Sequence, residues 1–171
     1  MKILSNNLVS LVVLSAFALT SSQVFAEGGK ISGTGTLSYT KQEALPINEA
    51  NGNLLLLGEL HGSNKNTGIK NYMDGADVTN REIVQLFQGN GPHSGYYTLS
   101  KDGNTVTALW KGEVTTVMAA DGTPQTSFKG TWQYVAGTGK LDGIKGQGEY
   151  HGHFTSKTSY AVDWSGEYAL K

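Results

Sequence analysis

Apolar and polar residues alternate along much of this chain, and glycines interrupt the aromatic rows within that alternation. Phe128, Gly130, Trp132 and Tyr134 share one face of an extended segment, and the segments on either side of it repeat the pattern. Such alternation is typical of antiparallel strands with one buried and one solvated face. A glycine in the middle of a strand lets the strand bend or lets a neighbouring ring pack over it. These are the means by which a sheet closes into a small barrel.

Eight segments show this alternation, and short turns join most of them. The predicted strands are Ile31–Thr40, Leu54–Gly62, Asp77–Gln88, Ser94–Ser100, Thr105–Met118, Gln125–Val135, Gln147–Thr155 and Ser159–Leu170. Two connections are longer, Lys41–Asn53 and Ser63–Ala76, and the second is predicted to form a loop over one end of the fold. The sequence therefore predicts an all-β, mostly up-and-down barrel of eight antiparallel strands, with a two-sheet β-sandwich as the alternative.

The first 26 residues have the pattern of a cleaved signal peptide. Lys2 precedes an apolar stretch at 8–20. Val24 and Ala26 are the small residues expected three positions and one position before a cleavage site. We therefore predict cleavage before Glu27, a single barrel domain over 27–171, and an exported bacterial protein that is periplasmic or secreted. The chain has no cysteine, which excludes a lipid-anchored lipoprotein and a disulfide scaffold.

The charge of the predicted mature chain argues against two classes of partner. The full chain has 13 basic and 14 acidic residues, and loss of Lys2 leaves a net charge of −2. There is no basic run of the kind that binds nucleic acid. There is also no basic amphipathic helix for a membrane surface, and no stable membrane insertion is expected after cleavage.

The glycine-rich stretch 137–154 (GTGKLDGIKGQGEYHGHF) does not fit a nucleotide site, and no cofactor is predicted. The spacing from Gly137 to Gly143 is one residue too long for a dinucleotide fingerprint, and no β-α-β unit surrounds it. On a strand, however, Glu149, His151 and His153 share one face, and two histidines at this spacing could bind a metal with a carboxylate. The opposite row, which contains Tyr150 and Phe154, matches the core pattern. The favoured interpretation therefore places the metal candidates in solvent.

Glu59 and His61 are the catalytic candidates, because they follow Leu55 and Leu57 on the same face of the second strand. If that face looked into the barrel, Glu59 would be an acid in an apolar cavity with a raised pKa, suited to proton transfer. An outward position for this face is the simpler alternative. Arg81 and Glu82 are adjacent on the third strand, so one of the two is expected to face inward.

The second half of the chain, about residues 90–170, resembles a family of small exported bacterial proteins. The segments TPQTSFKGTWQYVAGTGKLDGIKGQGEYHGHF and YAVDWSGEY look like the glycine-aromatic signature of barrels similar to allene oxide cyclase, within the calycin-like group. The resemblance implies an eight-stranded barrel. The plant cyclases of this group use a buried glutamate, for which only Glu59 could loosely stand in here. The cyclase activity of the plant proteins is therefore not predicted for this chain.

Three functions remain open from the sequence, and a non-enzymatic one is favoured. The first is a barrel that holds a small apolar or amphipathic ligand, with Trp110, Trp132, Trp164 and Tyr134 as its lining. The second is an isomerase or cyclase that uses a buried glutamate. The third is a structural or partner-binding periplasmic protein, which would expose a large apolar patch.

Overall fold

The structure is a computed structural model that describes residues 27–48, 52–68 and 72–170. Eight strands account for most of these residues, and a single 3-10 turn at Gly139–Leu141 interrupts the connection between the sixth and seventh. The strands are β1 (Glu27–Asn48), β2 (Asn53–Asn66), β3 (Asp77–Phe87), β4 (Gly91–Lys101), β5 (Asn104–Met118), β6 (Pro124–Gly137), β7 (Lys145–Phe154) and β8 (Ser159–Leu170).

Each strand pairs antiparallel with its neighbours in the chain, and β1 also pairs with β8 to close the ring. The predicted eight-stranded up-and-down barrel is confirmed, and the two-sheet sandwich is excluded. The hairpin between β4 and β5 illustrates how local sequence fixes the pairing. Asp102 and Gly103 have φ angles of 49° and 74°, the left-handed conformation that a two-residue hairpin requires.

The first strand is longer than the sequence indicates. Residues 41–48 were predicted to belong to a connection, but they pair with β2 after a bulge between Tyr39 and Lys41. The pairing of β1 with β8 ends at Ser38, so this extension is exposed on both faces. Exposure explains the missing signal, because a strand without a buried face shows no apolar alternation.

Glycines in the strands make room for the inward aromatic rings, as the sequence predicted. A methyl group on Gly148 or Gly166 would lie 2.7 Å or 2.6 Å from the Cζ2 atom of Trp132, so this indole lies directly over both glycines. Trp110 lies in the same way over Gly95. Glycine thus provides the space that these two indoles occupy on the inward face of neighbouring strands.

One end of the barrel is closed by the connection between β2 and β3. Tyr72 is buried there, and its ring centroid lies 4.7 Å from Tyr168 and 6.3 Å from Tyr134. Asn64 holds this connection by a side-chain hydrogen bond of 3.0 Å to the carbonyl oxygen of Met73. Leu141 and Ile144 are buried in the connection between β6 and β7, which emerges at the same end. The predicted loop at Ser63–Ala76 is shorter than expected, because Ser63–Asn66 continue β2, and its described remainder packs over this end.

The predicted signal peptide at 1–26 lies outside the described residues. Within the ranges given above, no helix has the length and apolar character needed to cross a bilayer.

Candidate functional site

The barrel contains a cavity of about 1150 Å³ that opens at the end opposite Tyr72. The turns that follow β3, β5 and β7 form its mouth, with Gly89, Thr123 and Ser156 on the rim. Deeper in, aromatic and aliphatic side chains line most of the wall. Among the described residues at this end, none packs across the mouth as Tyr72 does at the closed end, which leaves room for a small molecule at the mouth.

Five side chains form one hydrogen-bonded group on the cavity wall, which we call the interior polar cluster: Tyr39, Asn80, Glu82, Trp110 and Tyr160. The Asn80 amide donates to Glu82 Oε2 at 3.2 Å and to the Tyr160 hydroxyl at 2.9 Å. Its carbonyl oxygen accepts from Trp110 Nε1 at 2.9 Å. The Tyr39 hydroxyl donates to Glu82 Oε1. The cluster therefore fixes the Glu82 carboxyl group from two strands.

Glu82 is a buried acid whose protonation is set by its surroundings. The side chain is 6% exposed, and this burial raises the pKa of its carboxyl group because the charged form loses its hydration. The hydrogen bonds from Tyr39 and Asn80 lower that pKa, but desolvation is the larger effect. Burial also raises the pKa of the Tyr39 hydroxyl, with the nearby Glu82 adding to the shift. The burial of the cluster thus shifts Glu82 toward its protonated form, compared with an exposed carboxyl group.

His93 faces the same cavity from β4 and is held by aromatic rings. Its Nε2 lies 3.0 Å from the Tyr150 hydroxyl, and its ring centroid lies 4.8 Å from Trp110. Burial lowers the pKa of His93 to about 4, so the imidazole is neutral near neutral pH. In the register of β3 and β4, Glu82 pairs with Gly95 and Val84 pairs with His93. Glu82 and His93 are therefore diagonal neighbours on one wall of the cavity.

The four predicted aromatic ligand-binding residues all line the cavity. Trp110, Trp132 and Tyr134 are buried, and Trp164 is partly buried. Trp164 Nε1 donates to Asn64 Oδ1 at 2.9 Å, which ties the lining to the closed end. Sequence reasoning thus identified lining residues, and whether they bind a ligand stays a prediction.

Glu59 and His61 do not line the cavity, and they occupy the outward position that the sequence analysis gave as the simpler alternative. The inward row of β2 is Leu56, Gly58, Leu60 and Gly62, which places Glu59 outside. There its carboxylate lies 2.8 Å from Arg81 Nε, and it also contacts Lys41 and His61. The hydrogen bond from Arg81 lowers the pKa of Glu59, the opposite of the shift expected for an acid in an apolar cavity.

Glu149, His151 and His153 are exposed, as the sequence analysis favoured, and His153 also borders the cavity near its mouth. His151 Nε2 lies 3.6 Å from Asp163 on the outer surface, and both side chains are more than half exposed. In the described ranges of the chain, no group of three or more His, Asp or Glu side chains is placed to hold a metal ion. Tyr150 and Phe154, the opposite row of this strand, line the cavity.

Sequence reasoning missed Asn80 and His93, and identified Glu82 only as one of a pair. The row Val78, Asn80, Glu82, Val84 and Leu86 on β3 carries a readable signal, because two polar residues interrupt an otherwise apolar face. His93 was missed since Gly91 and Pro92 precede it and resemble a turn, although β4 begins at Gly91.

The barrel is similar to two solved structures. One is the pterocarpan synthase dirigent protein PsPTS1, with 11% sequence identity, a TM-score of 0.50, and coverage of 86% of this chain and 99% of that chain. The other is the pterocarpan synthase dirigent protein GePTS1, with 10% identity, a TM-score of 0.50, and coverage of 85% and 87%. At such identities the likeness concerns the fold alone. No family model matches the sequence, and no curated protein matches it. The barrel implied by the allene-oxide-cyclase-like resemblance is confirmed, and membership of that family stays a prediction.

Proposed function

We propose that the barrel binds one small, mostly apolar molecule in its cavity. The observation that carries this proposal is the open cavity of about 1150 Å³, lined by rings and aliphatic chains around one polar cluster. Sites for small molecules are usually concave and apolar, with a few polar groups that orient the ligand. An eight-stranded barrel is either filled by its own side chains or wide enough for one ligand. The cavity supports the second case.

The names of the structural neighbours are compatible with this proposal. PsPTS1 and GePTS1 are called synthases, which is a small-molecule role for proteins built on a similar barrel. The ligand of the present chain is nevertheless argued from its own lining residues, because fold does not determine function.

A tryptophan fluorescence titration tests the proposal. Trp110, Trp132 and Trp164 all line the cavity, so a bound fatty acid or polyphenol is expected to change their emission. Replacing Ala108, a buried lining residue, by Phe fills part of the cavity and is expected to weaken binding by about tenfold or more. Leu109→Phe on the outer face of the same strand is the matched control, with unchanged affinity expected.

Two outcomes would contradict the binding proposal. One is the absence of a response to every member of the fatty acid and polyphenol panel. The other is equal weakening by Ala108→Phe and Leu109→Phe in variants that unfold at similar temperatures. If Ala108→Phe does not fold, Val114→Phe on the same inward row replaces it.

A second function, isomerisation of the bound molecule by proton transfer, is favoured by a specific observation. Glu82 and His93 face one cavity from adjacent strands, and burial shifts their pKa values in opposite directions. Such a pair supplies an acid and a base at the same pH. His93 would take a proton from the carbon beside a ligand carbonyl while Glu82 gives its proton to the carbonyl oxygen. Reversal at another carbon returns both protons and yields an isomer without a further reactant.

Deuterium uptake tests this second function independently of binding. A bound ketone incubated in D₂O is expected to exchange the hydrogens beside its carbonyl faster than in buffer, as followed by NMR. Glu82→Gln and His93→Gln are each expected to lower the rate by about a hundredfold, whereas Glu59→Gln on the outer face leaves it unchanged. Exchange no faster than in buffer, or equal losses in all three variants, would exclude proton transfer and leave binding in place.

A further inference from the structure

Charged side chains are scarce around the cavity, and their positions limit the charge that a ligand can carry. Among the described residues that line the cavity, Lys157 is the only lysine or arginine, and it lies in the turn between β7 and β8 at the mouth. Glu82 is the only carboxyl group of this lining, and it lies inside the barrel. A ligand carboxylate at the depth of Glu82 would have no cationic partner, and burying an unpaired charge is strongly unfavourable.

A ligand cation at the depth of Glu82 is unfavourable for a different reason. Both oxygens of Glu82 already accept hydrogen bonds, from Tyr39 and from Asn80. An ammonium group would require Glu82 to be ionised, and burial opposes the ionised form. The aromatic lining could offset part of this cost through cation–π contacts, so cations are included in the test below.

The interior polar cluster has a surplus of donors. Both N–H bonds of the Asn80 amide are used, and one of them donates to the Tyr160 hydroxyl. Tyr160 thus accepts a bond, and its own hydrogen has no acceptor among the described residues of the chain. Its ring is 6% exposed and lines the cavity. A buried donor without an acceptor is unfavourable, and a ligand that supplies one relieves this.

We infer that the ligand is an uncharged molecule with an apolar skeleton that presents a carbonyl or ether oxygen to the Tyr160 hydroxyl beside Asn80. The inference rests on the proposed binding function and specifies the charge and polar group of the ligand. Tyr160 is the residue that selects the oxygen. The rings of Phe128 and Phe154, whose centroids lie 5.0 Å and 5.9 Å from that of Tyr160, provide apolar surface next to this hydroxyl.

Four pyrene derivatives with one common skeleton test the inference: acetylpyrene, isopropylpyrene, pyrenecarboxylate and pyrenylmethylammonium. Energy transfer from the cavity tryptophans to pyrene reports binding of each compound. The acetyl compound is expected to bind about fivefold to tenfold more tightly than the isopropyl compound, which has the same shape without the oxygen. The two charged compounds are expected to bind more weakly than acetylpyrene by about tenfold or more.

Tyr160→Phe removes the donor, and Tyr96→Phe on the outer face of β4 is the matched control. In Tyr160→Phe, acetylpyrene is expected to bind no more tightly than isopropylpyrene, whereas Tyr96→Phe keeps the preference. The infrared carbonyl stretch of bound acetylpyrene is expected to shift to lower frequency in the wild type and to lose that shift in Tyr160→Phe. If this variant does not fold, the inference is tested by the wild-type affinities for acetylpyrene and isopropylpyrene and by the infrared shift in the wild type.

The outcomes separate this inference from the binding function. Equal affinity of the wild type for acetylpyrene and isopropylpyrene would overturn the inference and leave binding intact. Tightest binding of the carboxylate or the ammonium compound would also overturn it. Failure of all four compounds to bind would overturn the proposed function and the inference together.

Discussion

Arg81 and Glu82 are consecutive residues of β3 whose side chains lie on opposite sides of the barrel wall. Outside, Arg81 Nε donates to Glu59 at 2.8 Å. Inside, Glu82 accepts hydrogen bonds from Tyr39 and Asn80. The pleat thus gives two acids on paired strands opposite properties: the pKa of Glu59 is lowered by Arg81, and that of Glu82 is raised by burial.

Removing the Tyr39 hydroxyl is expected to raise the pKa of Glu82 further. The hydrogen bond from Tyr39 favours the ionised carboxylate, so Tyr39→Phe removes a stabilising contact of that form. A pH titration of the Glu82 carboxyl stretch by infrared difference spectroscopy against Glu82→Gln measures the shift. An unchanged or lowered pKa in Tyr39→Phe would show that this hydrogen bond does not act on the carboxyl group.

His93 is expected to make the folded state less stable in acid. Its pKa is about 4 in the folded protein against an ordinary value of 6.5, so its contribution is present above pH 6.5 and is lost as the pH falls toward 4. Glu82 acts in the opposite direction, since its raised pKa favours folding at low pH. Tyr150, the hydrogen-bond partner of His93, has a raised pKa and stays neutral throughout.

Urea unfolding at pH 7 and pH 4.5 isolates the His93 contribution. The free energy of unfolding is expected to fall between these pH values by about 2 kcal/mol more in the wild type than in His93→Gln. Because Glu82 and the surface carboxylates are present in both proteins, their contributions to the pH dependence cancel in this comparison. Parallel pH profiles for the two proteins would contradict a buried, neutral His93.

Adding a methyl group beneath Trp132 is expected to destabilise the barrel. In Gly148→Ala the new Cβ would lie 2.7 Å from Cζ2 of Trp132 and closer still to the carbonyl oxygen of Ser165. Such overpacking costs about 1–3 kcal/mol in the free energy of unfolding. Gly122→Ala is the control, because that position has open space and only an unfavourable φ of 83°, which costs about 1 kcal/mol. Thermal and urea unfolding rank the two variants, and a smaller loss for Gly148→Ala would contradict the packing described.

The predicted signal peptide has a direct test. If residues 1–26 are removed on export, the mature protein begins at Glu27 and its mass falls by that of the removed segment. Intact-mass and N-terminal analysis of the protein from the periplasm or medium of an expressing bacterium measures this. Retention of Met1 on protein found only in the cytoplasm would contradict the prediction.

The barrel and its aromatic lining could be predicted from the sequence, because the alternation in β5, β6 and β8 is strict and glycines mark where rings pack. The outward position of Glu59 could not, because Leu54–Leu57 gives four apolar residues in a row and hides which face of β2 is buried. Gly58 marks the buried face of β2, because it lies beneath the Tyr39 ring and next to Glu82 on the inward face. The depth of the cavity depends on how the rings tilt, which strand patterns do not encode.

The binding proposal places a small apolar molecule inside the barrel. The most direct measurement is a crystal structure of the protein with a bromine-substituted aromatic ketone, in which anomalous scattering locates the bromine independently of the fitted ligand. One anomalous peak is expected within the cavity, among Trp110, Phe128 and Tyr160, with the carbonyl oxygen within hydrogen-bond distance of the Tyr160 hydroxyl. A peak only on the outer surface, with the interior empty, would contradict the binding proposal.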